Sequence, residues 1–456
     1  MSLIKSISGF RGTIGGAAGD NLTPEDIVQS VAAYGTWLLQ SGAPARVVIG
    51  RDARPSGDVV TRLTSATLQM LGITVIDLGL ATTPTVEMAV TKLEAGGGII
   101  LSASHNPVHW NALKLLNHKG EFISAADGES LLQLLADGGV TYAEVSDLGD
   151  YQTYAGALQD HIQAVLDHPL VNVAAVKKAG FKVVVDPVNS VGAIALPALL
   201  EALGCGYTLL HGEMNGRFAH EAEPLPHNLT DLIAAMSAGD ADLGVAVDPD
   251  VDRLALVGPG GRWIGEEYTL VTVADYVLRH TPGPVVSNLS STRALADLAE
   301  TYGQPHHAAA VGEVNVVAKM KEVNAVIGGE GNGGIIDPKL HYGRDSLIGL
   351  ALVLSHLATQ DKNINQLRDG YPPYEMVKDK IDLTPGLAVD ERIDALERHF
   401  TSATPNRTDG LKLDFADGWV HLRKSNTEPI VRVYAEAATA ARARELAGEV
   451  KDYFLR

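Results

Sequence analysis

Short apolar runs, each ending in polar or turn-forming residues, alternate along this chain with longer stretches of helical spacing. Three of the runs share one grammar. Val47 to Asp52 (VVIGRD), Val183 to Pro187 (VVVDP) and Pro284 to Asn288 (PVVSN) each read as a buried strand leading into a helix. Those helices close near Leu71-Gly72, Leu203-Gly204 and Tyr302-Gly303, where glycine suits a C-cap, and a second apolar run follows at once. This strand-helix-strand repeat predicts an α/β architecture: three similar domains with mixed or parallel sheets covered by helices, and ligand loops at the strands' carboxyl ends. Three unrelated nucleotide-type folds would give the same pattern. After Gly370-Tyr371-Pro372-Pro373 the strands shorten (Gly418 to Arg423, Ile430 to Ala435) and a final helix is rich in Ala, Arg and Glu, so a smaller C-terminal α+β domain is expected. The expected domains are 1–150, 151–257, 258–373 and 374–456.

Length agrees with this division, since 456 residues exceed what one hydrophobic core ordinarily serves. With 46% apolar and 20% charged residues the whole chain is expected to fold. No stretch approaches the roughly 20 apolar residues of a membrane span, and Met1 to Gly12 lacks the apolar core of a secretory signal. The expectation is a cytoplasmic protein with no membrane partner, as a monomer or homodimer. Cys205, the only cysteine, excludes an internal disulfide and reads as a packing residue in a helix-to-strand turn. The net charge of -19 argues against nucleic acid as a partner. A small anionic substrate then requires a locally basic cleft, which makes the placement of Arg and Lys informative.

Candidate chemistry gathers at predicted strand ends. The strand Gly97 to Ser102 runs into Ser102-Ala103-Ser104-His105-Asn106-Pro107, where Pro107 fixes the loop that carries Ser104. A hydrolase serine or an inert Ser/His turn would look similar, although no G-x-S-x-G elbow is present. The strand Asp242 to Val247 delivers Asp248-Pro249-Asp250-Val251-Asp252-Arg253, and in an extended loop its three alternating carboxylates converge. All-oxygen ligation selects a hard cation and leaves octahedral positions free, as Mg2+ prefers; a solvated acidic turn is the plain alternative. Basic residues collect at comparable loops: Arg11, Arg51, Arg54, Lys114 and Arg253. The tail adds Arg423-Lys424-Ser425-Asn426-Thr427-Glu428-Pro429 and Arg432, a donor set suited to phosphate. A glycine-rich loop, Gly328 to Gly334, follows a strand expected at Asn324 to Ile327 and permits close approach of a ligand; His341 to Asp345 are its polar neighbours.

Four motifs in this order, the serine loop, D-x-D-x-D-R, the G-E loop and R-K-S-N-T-E-P, resemble the α-D-phosphohexomutase superfamily over essentially the full length. The resemblance implies that Ser104 carries a phosphoryl group, and that Asp248, Asp250, Asp252 and the phosphoryl group on Ser104 bind one Mg2+ with Arg253 close by. It places Arg11, Lys114 and His105 around the transferred group, with Lys114 the candidate for acid/base work. Glu330 and Asn332 would contact the sugar, while Arg423, Ser425, Asn426, Thr427 and Arg432 would hold its distant phosphate. The family's G-E-x-S-G-H loop departs here, with Asn332 and Gly334 in place of Ser and His, and His341 is the candidate to compensate. SGFRG, G-E-G-N-G and RKSNTEP look most like bacterial phosphoglucosamine mutases, with mannose and glucose phosphates as rival substrates and a sugar bisphosphate as activator. An aspartyl phosphatase would have no use for Ser104, and a non-catalytic phosphosugar sensor would need neither the serine nor three aspartates.

Overall fold

A computed structural model of the chain describes residues 2–6, 9–384, 387–425 and 430–456. The fold divides into two compact units, Met1–Thr269 with Gly333–Asn365, and Leu270–Asn332 with Gln366–Arg456.

In the first unit a seven-stranded sheet runs in the order Ile4–Ser6, Gly9–Thr13, Trp110–Leu116, Gly97–Leu101, Arg46–Arg51, Thr74–Leu80, Tyr151–Thr153. Gly97–Leu101, Arg46–Arg51, Thr74–Leu80 and Tyr151–Thr153 are parallel to one another, and the other three strands are antiparallel to their neighbours. Strand periodicity explains why its apolar runs are continuous. Ile49 and Ile99 enter one core with Phe10 and Tyr34, while the adjacent Val48 and Ile100 enter another with Val86 and Leu116. A second sheet orders Arg262–Trp263, Leu254–Gly258, Leu243–Val247, Lys182–Asp186, Gly206–Leu209. Lys182–Asp186 is parallel to both of its neighbours there.

In the second unit Val285–Asn288 lies between His306–Ala309 and Ile327–Glu330, all parallel. The C-terminal sheet is antiparallel, in the order Glu375–Asp382, Ile430–Ala437, Gly418–Lys424, Leu411–Phe415, Thr404–Asn406. Its apolar face packs with Phe454 and Val450 of the helix Ala440–Leu455. Three α/β/α domains followed by a smaller α+β domain are therefore present, as the repeat predicted.

One strand sits later than expected. Asn324 adopts a left-handed conformation (φ 50°) and caps the helix Glu313–Val323, so the strand begins at Ile327 and includes Gly328, Gly329 and Glu330. The Met320 thioether occupies the space where a Gly328 side chain would begin. Cys205 is buried, and burial pushes its thiol up to about 11, in keeping with packing rather than reactivity. Among the described residues no helix is long and apolar enough to cross a membrane.

Candidate active site

Two strand ends meet in the first unit. Gly97–Leu101 leads into the serine loop and Leu243–Val247 into the aspartate loop. Ser104 is 3% exposed, and its Oγ donates a 2.5 Å hydrogen bond to Asp248 Oδ2. Its backbone has φ 49°, a conformation that costs an L residue about 1–3 kcal/mol and persists only where the surroundings impose it.

Arg54 supplies much of that constraint. One side-chain nitrogen donates to the Ser104 and Asn106 carbonyls at 2.5 and 2.6 Å, a second to those of Pro107 and Trp110, and Nε pairs with the buried Asp52 at 3.0 Å. Asp52 also accepts from Ser102 Oγ, which in turn accepts from the Ser104 amide. The basic residue read as one of several near a ligand is thus the brace of the serine loop, its guanidinium fork matched to four carbonyls.

Asp248, Asp250 and Asp252 are all fully buried, with one oxygen of each within 4.8 Å of the others. They converge by a turn and not by extended alternation. Val251 takes φ 64°, its amide donates to the Asp248 carbonyl, and the Asp252 and Arg253 amides donate to Asp248 Oδ1. Asp250 Oδ2 accepts from Lys114 Nζ and Thr83 Oγ1, both at 2.6 Å. Asp252 Oδ2 accepts from Arg344 at 2.6 Å and Lys114 at 3.3 Å. The second oxygens, Asp250 Oδ1 and Asp252 Oδ1, are buried without a hydrogen-bond partner. Burial and the charges of Asp252 and Asp250 push the Asp248 carboxyl well above its ordinary range. Three converging carboxylates with orphaned oxygens are what a hard divalent cation would satisfy, so this cluster fits Mg2+.

Basic residues surround the same point. Arg11 donates to Asn106 Oδ1 at 2.9 Å; burial and then the charge of Arg253 depress its pKa. Arg253 reaches Glu223 at 3.3 Å, and its buried Nε has no hydrogen-bond partner. His105 Nδ1 lies 3.5 Å from Ser104 Oγ, and Arg253, burial and Arg11 together hold this imidazole well below its ordinary pKa. Burial works to lower the Lys114 pKa, but Asp250 and Asp252 outweigh it and raise it, so its ammonium is committed to two carboxylates. His341, the candidate to compensate in the sugar loop, lies 3.3 Å from Asp345, which the buried His161 also contacts at 2.8 Å.

Sequence reasoning missed Thr83 and the direct contact of Arg344 with Asp252. Thr82 caps the helix Thr83–Lys92 by accepting from the Thr85 amide, with Pro84 in the first turn. The motif announces a helix start, but only tertiary structure brings Thr83 to Asp250.

In the second unit Glu330 is buried at the end of its strand, and its Oε1 accepts from Asn288 Nδ2 at 2.9 Å and the Gly312 amide at 3.0 Å. All three stand at or beyond the carboxyl ends of the parallel strands, where ligand loops are expected. Asn332 follows, half-buried. In the C-terminal sheet Arg423 and Arg432 are directly opposite in register, and Lys380 is opposite Arg432 on its other side. Like charges placed opposite one another repel, and carboxylates offset part of this row, Asp382 lying 3.4 Å from Lys380. Arg423 is also 3.8 Å from Asp409, and the Ser425 amide donates to the Ile430 carbonyl, closing the hairpin. Asn426 and Thr427 lie outside the described residues.

Comparison with known sequences settles the family. Profiles of the phosphoglucomutase/phosphomannomutase family match in order: alpha/beta/alpha domain I over residues 4–138, domain II over 159–261, domain III over 265–374 and the C-terminal domain over 378–452. The chain belongs to the phosphoglucomutase/phosphomannomutase family. A phosphoglucomutase/phosphomannomutase of Thermococcus kodakarensis is 34% identical, covering 95% of this chain and 96% of its own. A phosphoglucosamine/phosphogalactosamine mutase of Sulfurisphaera tokodaii is 33% identical over 99% of each. The crystal structure of a phosphoglucomutase/phosphomannomutase family protein from Burkholderia thailandensis superposes with a TM-score of 0.86 at 26% identity, over 99% of this chain and 96% of that one. This family member is accordingly a phosphohexomutase, an isomerase that works by intramolecular phosphotransfer.

Proposed function

We propose that this phosphohexomutase interconverts glucosamine 6-phosphate and glucosamine 1-phosphate, with Ser104 as the phosphoryl carrier. The observation that carries the reading is the Ser104 Oγ contact with Asp248, inside a buried three-carboxylate cluster that retains unpartnered oxygens. In the first transfer the bond from phosphorus to Ser104 Oγ breaks as one forms to the free hydroxyl oxygen of the monophosphate, and the proton of that hydroxyl ends on Ser104 Oγ, to be returned to the sugar oxygen in the second transfer. The resulting bisphosphate turns, its other phosphoryl group moves to Ser104 Oγ, and the isomer leaves. No phosphate is gained or lost, and a trace of sugar bisphosphate recharges serine that has lost its group.

Phosphoryl transfer asks for positioning and charge neutralisation more than covalent help. Mg2+ at Asp248, Asp250 and Asp252 would neutralise the transferring oxygens. Arg54 fixes the serine loop; Arg11 and Arg253 supply positive charge, and Lys114 with Arg344 holds the aspartates. His105 Nδ1 is the nearest ring nitrogen to Oγ. Glu330 and Asn332 would read sugar hydroxyls, and Arg423, Ser425, Asn426, Thr427 and Arg432 would bind the phosphate that is not reacting, joined by Lys380.

The relative from Sulfurisphaera tokodaii and the SGFRG and GEGNG motifs support the hexosamine reading; the relative from Thermococcus kodakarensis supports phosphoglucomutase and phosphomannomutase activity as the second reading. A panel of hexose and hexosamine phosphates, assayed with Mg2+ and a trace of sugar bisphosphate, separates them. Glucosamine 6-phosphate should show the highest kcat/KM, and inactivity on every phosphosugar would remove the proposal. Ser104→Ala should lower turnover by about a thousandfold or more, far beyond Asn332→Ala. A serine variant with near-normal rates would exclude phosphoserine chemistry.

A further inference from the structure

A second cluster of metal-ligating side chains lies outside the phosphoserine site. The strand Lys182–Asp186 ends in Asp186, whose side chain is fully buried. Asp186 Oδ2 lies 3.0 Å from His211 Nδ1 and 3.2 Å from His220 Nε2, and one ligand atom from each residue falls within 4.8 Å of the others. Two ligands held about 2.0–2.1 Å from a tetrahedral ion are about 3.3–3.4 Å apart, a little more than the two distances from Asp186.

The far sides of both rings are also engaged. His211 Nε2 is 3.1 Å from Asp231 Oδ2, and His220 Nδ1 is 2.8 Å from the Glu221 carbonyl oxygen. Each imidazole thus faces oxygen acceptors on both nitrogens, whereas a neutral ring has one N–H. A cation on the two inner nitrogens satisfies this arrangement, as protonation of both rings would, and leaves the outer N–H groups to donate to Asp231 and Glu221. That carboxylate or carbonyl partner on the outer nitrogen is the usual device for orienting a metal-bound histidine. Backbone contacts also hold His211 in place. His211 is held at φ 45°, and its carbonyl accepts from the Asn189 amide at 2.6 Å. Asn189 also donates to the Arg217 carbonyl and accepts from the Glu213 amide, so the segment that carries His211 is stitched in place.

We propose that Asp186, His211 and His220 form a binding site for Zn2+, with a fourth coordination position open. Two imidazoles and one carboxylate suit a borderline ion and discriminate against Mg2+, which takes all-oxygen ligation. The histidine side chains are 22% and 16% exposed, so the ion can enter. Its place in the fold ties it to the other loop: Asp186 pairs in register with Ala246, two residues before Asp248. Ser190, on the turn after Asp186, donates through Oγ to the Pro249 carbonyl at 2.6 Å. The ion would therefore stiffen the support beneath the three-aspartate loop.

The test is Zn2+ titration by calorimetry of full-length, chelator-treated protein in millimolar Mg2+, with elemental analysis after desalting. Wild type should take up one Zn2+ per chain, and Asp248→Asn should do the same. His220→Ala should bind at least 100-fold more weakly. Asp231→Ala, a carboxylate 70% exposed and remote from the core, should weaken binding by about 10- to 100-fold. No uptake by wild type, uptake unchanged in both His220→Ala and Asp231→Ala, or uptake lost in Asp248→Asn would each overturn the proposal. Unchanged or absent binding is the outcome expected of an ion-paired cluster of doubly protonated rings. Should His220→Ala fail to fold, Asp231→Ala alone decides.

Discussion

Two parallel neighbouring strands of one sheet, Lys182–Asp186 and Leu243–Val247, both deliver an Asp-Pro pair at their carboxyl ends, Asp186-Pro187 and Asp248-Pro249. Both turns hold β-branched residues in the left-handed region, Val188 at φ 50° and Val251 at φ 64°. Their surroundings differ. Asp248 is joined by Asp250 and Asp252 and by cations from Lys114, Arg344 and Arg253, while Asp186 is joined by His211 and His220. Two neighbouring strand ends thus present an all-oxygen cluster on one strand and an imidazole-rich cluster on the other. What the cation chemistry depends on is the company of the first carboxylate.

The largest effect should come from the hard site itself. Asp250→Asn removes a buried carboxylate charge and the ion pair with Lys114, and should lower mutase kcat/KM by about 100- to 1000-fold. Chelator treatment should abolish turnover and Mg2+ restore it. If a nitrogen-donor chelator selective for transition metals did the same in excess Mg2+, the distinction between the two strand ends would collapse.

Next in size is Arg54→Ala, which strands the fully buried Asp52 and frees four carbonyls of the serine loop. A loss of about 3–5 kcal/mol is expected, read as a drop in denaturation midpoint together with weakened Mg2+ binding. An unchanged midpoint would mean that the loop is not braced from this side.

Ser190→Ala is smaller and tests the link between the turns. Its Oγ accepts from the Ala53 amide at 3.3 Å and donates to Pro249, joining the serine-loop domain to both strand ends. Its loss should cost about 1–3 kcal/mol. Calorimetry should show affinity falling at both cation sites; a change confined to one would show that they are independent.

Much of this was legible in the residue pattern, because the chemistry sits on short motifs next to strand ends. Ser104 and the three aspartates stand where the apolar runs stop, and burial of an acidic triplet has few explanations. Other features depend on contacts distant in sequence. Arg344 reaches Asp252 across 92 positions and Thr83 reaches Asp250 across 167. The function of Arg54 as a loop brace follows from four carbonyls that no side-chain pattern encodes. The expected strand at Asn324 to Ile327 differs from the observed Ile327–Glu330 because its glycines read as loop, whereas Gly328 leaves room for the Met320 thioether packed against it. Lys380 joins the basic row only through the register of its antiparallel strand.

The most direct test of the central claim is to charge the protein with a labelled sugar bisphosphate, map the modified residue, and then add unlabelled glucosamine 6-phosphate. The account predicts label on the peptide carrying Ser104, stable to hydroxylamine, and its transfer to the sugar in one turnover. Label on Asp248 or Asp250 that hydroxylamine removes, or label on Ser104 that the sugar cannot discharge, would contradict it.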